Sequence, residues 1–131
     1  MRLLLDTSVV LWSVTGEQKL NSRATELLRS TASSLYFSSA STWEIAIKYA
    51  LGTLKLHVAP AVLVPEIISG MGMQALDISH LHAIEAGQLP THHRDPFDRM
   101  LIAQARLEGL TLLTADTIFR KYEVEQIFCG K

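Results

Sequence analysis

Short apolar runs alternate along this chain with stretches of helical periodicity. Residues 2–5, Arg2 followed by the apolar run Leu3 to Leu5 that ends at Asp6, predict a buried strand. Thr7 and Ser8 offer capping hydroxyls, so a short helix is expected through Val9 to Val14, stopped by Gly16. Asn21 or Ser22 can cap a second helix, with Ala24, Leu27 and Leu28 at i, i+3, i+4 spacing. Leu35 to Phe37 reads as the next strand. From Ser41 a helix is expected with Trp43, Ala46, Ile47 and Ala50 on its inward face and Gly52 as its stop. Pro60 suits the first turn of another helix, apolar through Val64 and Ile68, that ends near Gly70. Met73 to Ile78 predicts a third strand, Ser79 to Gly87 a helix and Pro90 to Arg94 a loop. Asp95 and Pro96 then open the most sharply bounded helix, with Phe97, Leu101, Ile102 and Ala105 inward and Gly109 ending it. Leu110 to Thr114 predicts a strand, Asp116 a turn around Phe119, and Val124 to Phe128 a last strand.

Apolar strands separated by helices indicate an α/β fold, a parallel sheet covered on both faces. The 131 residues suffice for one core, so residues 1–131 are expected to form one domain. Lys and Arg number 12 against 13 Asp and Glu, which excludes a protein held on nucleic acid by phosphate contacts alone. RNA or DNA would need a bound cation and a local basic rim, for which Lys48, Arg94, Arg99, Arg106, Arg120 and Lys121 are the candidates. Cys129 is the only cysteine, which excludes an intramolecular disulfide and suits a reducing cytoplasm. Every uncharged stretch is broken before the ~18 apolar residues a membrane span requires. A cytoplasmic protein with no membrane association is expected.

Four acids stand where a strand or loop hands over to a helix: Asp6, Glu44, Asp98 and Asp116. Each has an ordinary structural explanation. Asp6 can cap the helix that follows it, and Ser41 with Glu44 matches a capping box. Glu44 and Lys48 also form an i, i+4 pair, Asp95 is a good N-cap with Asp98 three residues on, and Asp116 can close a turn. Gathered in one pocket, the same acids would hold Mg²⁺ or Mn²⁺, which neutralises an anionic phosphodiester and activates water against it. The spacing of His57, His80, His82, His92 and His93 does not converge on a transition-metal site, and they read as surface or loop histidines. His93 or Arg94 would lie within reach of a bound RNA.

The segments LLLDTSVVLW, STWEIAIKYALGTLKL and LPTHHRDPFDRMLIAQARLEGLTLLTAD, with the trailing IFRKY, resemble the PIN-domain ribonucleases, specifically the VapC-type toxins of bacterial toxin–antitoxin pairs. The resemblance runs from Met1 to about Tyr122, and DPFDRMLIAQA followed by LTADT is its most specific part. It implies a three-layer α/β/α domain with a central parallel sheet. It further implies a Mg²⁺- or Mn²⁺-dependent endoribonuclease with RNA as substrate, inhibited by a cognate antitoxin protein. The family's acidic quartet falls on Asp6, Glu44, Asp98 and Asp116, with Asp6 and Asp98 the first choice as direct metal ligands. Glu44 and Asp116 would bind directly or through water, Thr114 would support the last acid, and Asp95 belongs to the same motif. The apolar helices around Trp43 to Ile47 and Val62 to Ile68 suggest a homodimer. Two alternatives compete. A doubly wound phosphatase or phosphotransferase would use Asp6 as nucleophile, but Ser8 stands where its second acid belongs. A non-catalytic PIN-like binding module would have no need of the intact quartet.

Overall fold

An apolar run with no polar face belongs at the centre of a sheet, and Leu3, Leu4 and Leu5 are all fully buried there. In the computed structural model, which describes residues 1–131, five strands make one wholly parallel sheet. They are β1 (Arg2–Leu5), β2 (Ser34–Ser38), β3 (Gln74–Leu76), β4 (Thr111–Thr114) and β5 (Gln126–Phe128), in the order β3-β2-β1-β4-β5. β1 pairs β2 on one side and β4 on the other, Leu4 lying opposite Tyr36 and Leu112. The sheet order therefore reverses beside β1, and the crevice beyond the carboxyl ends of β1 and β4 is where such sheets bind ligands.

Six α-helices complete the fold: α1 (Thr7–Thr15), α2 (Ser22–Arg29), α3 (Ser39–Ala50), α4 (Pro60–Gly70), α5 (His80–Gln88) and α6 (Pro96–Glu108). Alternate strand residues supply the two faces. Leu3, Leu5 and Leu113 join Val9 and Val10 of α1, Ala24 of α2 and Leu63, Val64 and Ile67 of α4 in one core. Leu4 and Leu112 join Leu101, Ile102 and Ala105 of α6, with Leu89 and Phe119, in the other. The result is the expected three-layer α/β/α arrangement. No helix is long and apolar enough to cross a membrane.

The local signals around α6 act as read. Asp95 Oδ1 accepts from the backbone N–H groups of Phe97 and Asp98, Pro96 occupies the first turn, and Gly109 ends the helix at φ 65°. Phe97, expected inward, is only half-buried and meets Trp43 edge-on.

α3 departs from the reading in both start and phase. It begins at Ser39 with Ser38 as its N-cap, so the Ser41–Glu44 capping box does not form. Its inward residues are Ala40, Ser41, Glu44 and Ile45, whereas Trp43 is 61% exposed. The phase follows from partners that periodicity cannot see: Ser41 Oγ accepts from Thr7 Oγ1 of α1 at 2.8 Å, and Glu44 turns into the crevice. His82 is likewise buried rather than on the surface. Its backbone and Nδ1 complete a capping box with Ser79, and Nε2 lies 3.1 Å from Glu108.

Candidate active site

The first acid leaves the sheet at its centre. Asp6 follows β1 and stands at the N-cap of α1, but its side chain makes no cap bond. Its carboxylate turns instead to the neighbouring strand, where Thr114 Oγ1, at the end of β4, donates to Asp6 Oδ2 at 2.8 Å. The same hydroxyl accepts from the backbone N–H of Asp116 at 3.0 Å. Thr114 thus ties the chain leading to Asp116 to the carboxylate of Asp6, and its proton serves the first acid rather than the last. Ser8 Oγ makes a longer contact to the same oxygen, 3.5 Å.

Glu44 arrives from α3 and is 6% exposed. Its Oε2 pairs with Lys48 Nζ at 2.6 Å, one turn further along the helix. Its Oε1 is buried with no hydrogen-bond partner at all. A buried carboxylate oxygen without a donor is costly, and it marks a place where a cation or its water would be stabilising. Asp98, at the start of α6, lies with Oδ2 3.2 Å from His93 Nε2. Asp116 follows β4 on the exposed side and caps the 3₁₀ turn Thr117–Lys121 through Ile118 N–H at 3.0 Å.

All four acids and Asp95 line one pocket of about 380 Å³, together with Thr7, Ser8 and Lys48. Their mutual charge is felt. Burial pushes Asp6 up to about 6, against the hydrogen bond from Thr114, with the charges of Glu44 and Asp116 adding to the rise. Burial, and then the charges of Asp6, Asp95, Glu44 and Asp116, push Asp98 up to about 8. Lys48 is raised in turn, chiefly by its hydrogen bond to Glu44, with Asp95 and Asp98 contributing. Lys48 is the cation this chain itself brings to the pocket.

The donor set suits a hard divalent ion: it is all oxygen, it carries excess negative charge, and one oxygen is buried and orphaned. No three His, Cys, Asp or Glu side chains converge into a closed cage around one point. Mg²⁺ needs no such cage, since one or two carboxylates and several waters commonly complete its octahedron.

The candidate basic rim is smaller than composition suggested. Arg99 is spent on backbone carbonyls, among them Leu89 and Pro90 at 2.9 Å each, and Arg106 pairs with Glu85 at 3.4 Å. Arg120 lies over the Phe128 ring. Arg94 and Lys121 remain exposed, and His93 faces Asp98 and Tyr122 rather than solvent. Cys129 is fully buried, and burial, followed by the nearby Asp6 charge, pushes its thiol up to about 12, so it is no nucleophile. Sequence reasoning passed over His93 as a partner of Asp98; the only signal was its place five residues before that acid.

A parallel α/β/α sheet with carboxylates gathered at its switch point defines an α/β protein with an acidic crevice where such sheets bind ligands. The chain belongs to the PIN domain family, whose pattern it matches over residues 3–125. Among curated proteins no significant match is found. The fold is shared with VapBC2 from Rickettsia felis bound to a promoter DNA fragment, at 16% identity and TM-score 0.74, covering 99% of this chain and 100% of that one. It is also shared with DNA-bound VapBC from Salmonella typhimurium, at 18% identity and TM-score 0.68, covering 98% of each chain. A third is VapBC-5 of Mycobacterium tuberculosis, a member of the VapBC family of toxin–antitoxin systems, at 18% identity and TM-score 0.60, covering 97% of this chain and 98% of that one.

Proposed function

We propose that residues 1–131 act as one PIN domain, a cytoplasmic Mg²⁺- or Mn²⁺-dependent endoribonuclease that serves as the toxin of a toxin–antitoxin pair. The observation that carries the reading is the pocket of five carboxylates in which Glu44 Oε1 is buried without a partner. Family membership supports a nuclease, and the toxin–antitoxin complexes that share this fold support an antitoxin partner.

Asp6 and Asp98 would hold the ion first, with Glu44 and Asp116 binding it directly or through water. The ion supplies charge neutralisation at the phosphate and activation of the attacking water. The residues of the chain do the rest. Thr114 and His93 fix one oxygen each of Asp6 and Asp98, so two carboxylates are oriented before any ligand arrives. Lys48 offsets part of the negative charge that an RNA backbone would meet on entering. Of the candidate rim, exposed Arg94 and Lys121 are left free to touch RNA phosphates.

The homodimer belongs to the same proposal. Trp43, Leu51 and Val62, on or just beyond α3 and α4, leave apolar surface open to a second copy. Light scattering at micromolar concentration should report twice the monomer mass, and a strict monomer would remove the dimer from the reading. An antitoxin is expected to direct a basic side chain into the acidic pocket, so its affinity should fall when the acids are neutralised.

The deciding experiment is cleavage of RNA by purified, antitoxin-free protein. Activity should require Mg²⁺ or Mn²⁺ and stop in EDTA. Equal cleavage in excess chelator would end the metal reading, because the ion is what neutralises the phosphate and activates the water in it.

A further inference from the structure

The loop before α6 is held by an unusual use of Arg99. Its guanidinium turns back from the helix, Nη2 donating to the carbonyls of Ala86 at 3.0 Å and Leu89 at 2.9 Å, and Nη1 to that of Pro90 at 2.9 Å. Longer contacts reach His93 O and Tyr122 Oη, both 3.5 Å from Nη1. A planar fork with five donors can fix several carbonyls at once, which an ammonium on a flexible stem cannot do as well. The end of α5 and the loop to His93 are thereby pinned to the helix that carries Asp98.

Tyr122 sets the orientation of the His93 ring. Its hydroxyl oxygen faces two donors, the backbone N–H of His93 at 3.3 Å and Arg99 Nη1 at 3.5 Å. With those donors on its oxygen side, its own proton is available to His93 Nδ1, 2.7 Å away. With Nδ1 accepting, the ring proton sits on Nε2 and is donated to Asp98 Oδ2 at 3.2 Å. Asp98 lines the pocket, and its Oδ1 accepts no hydrogen bond from the chain.

We propose that His93 is a positioning residue for the divalent cation: braced by Tyr122 and Arg99, it holds Asp98 by one oxygen so that the other is presented to the ion. The proposal rests on the metal-dependent reading above. It makes His93 for Asp98 what Thr114 is for Asp6 and Lys48 for Glu44, each fixing one carboxylate oxygen with a donor. Such outer partners commonly contribute ten- to a hundredfold to metal affinity.

The test is Mn²⁺ binding by calorimetry and Mn²⁺ electron paramagnetic resonance, on the full chain and on His93→Ala, His93→Gln and Tyr122→Phe. Circular dichroism would establish that each is folded. His93→Ala should bind Mn²⁺ about ten- to a hundredfold more weakly. His93→Gln, whose amide N–H can reach the same carboxylate, should recover part of the loss, and Tyr122→Phe should show a smaller loss. If His93→Ala fails to fold, Tyr122→Phe still decides, since unchanged Mn²⁺ affinity in that folded variant would leave the brace without function. Folded His93→Ala binding Mn²⁺ as tightly as the parent overturns the proposal and leaves the metal reading standing. A parent chain that binds no Mn²⁺ overturns both. Nitrogen-15 spectra of the metal-free protein at about pH 8 add a readout independent of the ion. They should show the Nε2–H tautomer of His93, and the Nδ1–H tautomer would refute the arrangement.

Discussion

Asp6→Asn should stabilise the metal-free protein while abolishing RNA cleavage. Asp6 is 5% exposed, and its folded environment raises it from 3.8 to about 6. At 1.36 kcal/mol for each unit, holding the charged form in the fold costs about 3 kcal/mol. Because the acid titrates higher in the folded state than in the unfolded one, the folded state holds its proton more tightly. Stability of the metal-free chain therefore falls as pH rises from about 4 to about 6, and the full penalty stands above that window. The Asn variant carries no charge there. Replacing one accepting oxygen by an amide beside Thr114 gives back about 1 kcal/mol, which leaves a gain of about 2 kcal/mol. For 131 residues, with an unfolding entropy of about 2.1 cal/mol/K per residue, that gain is a rise of about 7 °C in Tm. The assay is thermal unfolding in EDTA at pH 7.5 and at pH 4. The rise should be present at the first pH and absent at the second. Saturating Mg²⁺ should narrow the gap by stabilising the parent alone. A variant that is less stable than the parent at both pH values would refute the reasoning, since Asp6 would then be a structural residue and not one held against the preference of the fold.

Asp98→Asn removes the charge a cation needs while keeping size and shape, and should eliminate cleavage in a folded protein; Asp95→Asn should retain most activity, because Asn caps α6 about as well as Asp. A soluble Asp98→Asn protein that cuts RNA at the parent's rate would remove Asp98 from the site. Gln104→Ala should cost about 2–4 kcal/mol in a urea titration, because Gln104 is fully buried and its Oε1 accepts from Ser38 Oγ at 2.5 Å. A loss below about 0.5 kcal/mol would show that the buried amide is not structural. Cys129 should resist a thiol-specific reagent such as dithionitrobenzoate in the native state and react at once in denaturant.

Much of this protein was legible along the chain because its signals are local. Leu3, Leu4 and Leu5 form an unbroken apolar run, and Leu112 and Leu113 a second, shorter one, and such runs are stable inside a sheet covered on both faces. Asp95, Pro96 and Gly109 bound α6 through backbone requirements that the neighbouring residues alone impose. A strand that ends at an acid, twice over, placed Asp6 and Asp116 at carboxyl ends of parallel strands, and the sheet order then set those two ends side by side.

What tertiary structure decided was the pairing of polar groups remote in sequence. Thr114 meets Asp6 across 108 positions, and Ser38 meets Gln104 across 66. Thr7 fixes the phase of α3 through Ser41, which turned Glu44 inward and left Trp43 outside, against the apolar periodicity. A hydrophobic stripe is read by averaging over a helix, because each apolar side chain gains by leaving water whatever it then touches. A buried hydroxyl, amide or carboxylate is stable only against one particular donor or acceptor, and which one it meets is fixed when strands and helices from distant parts of the chain come together.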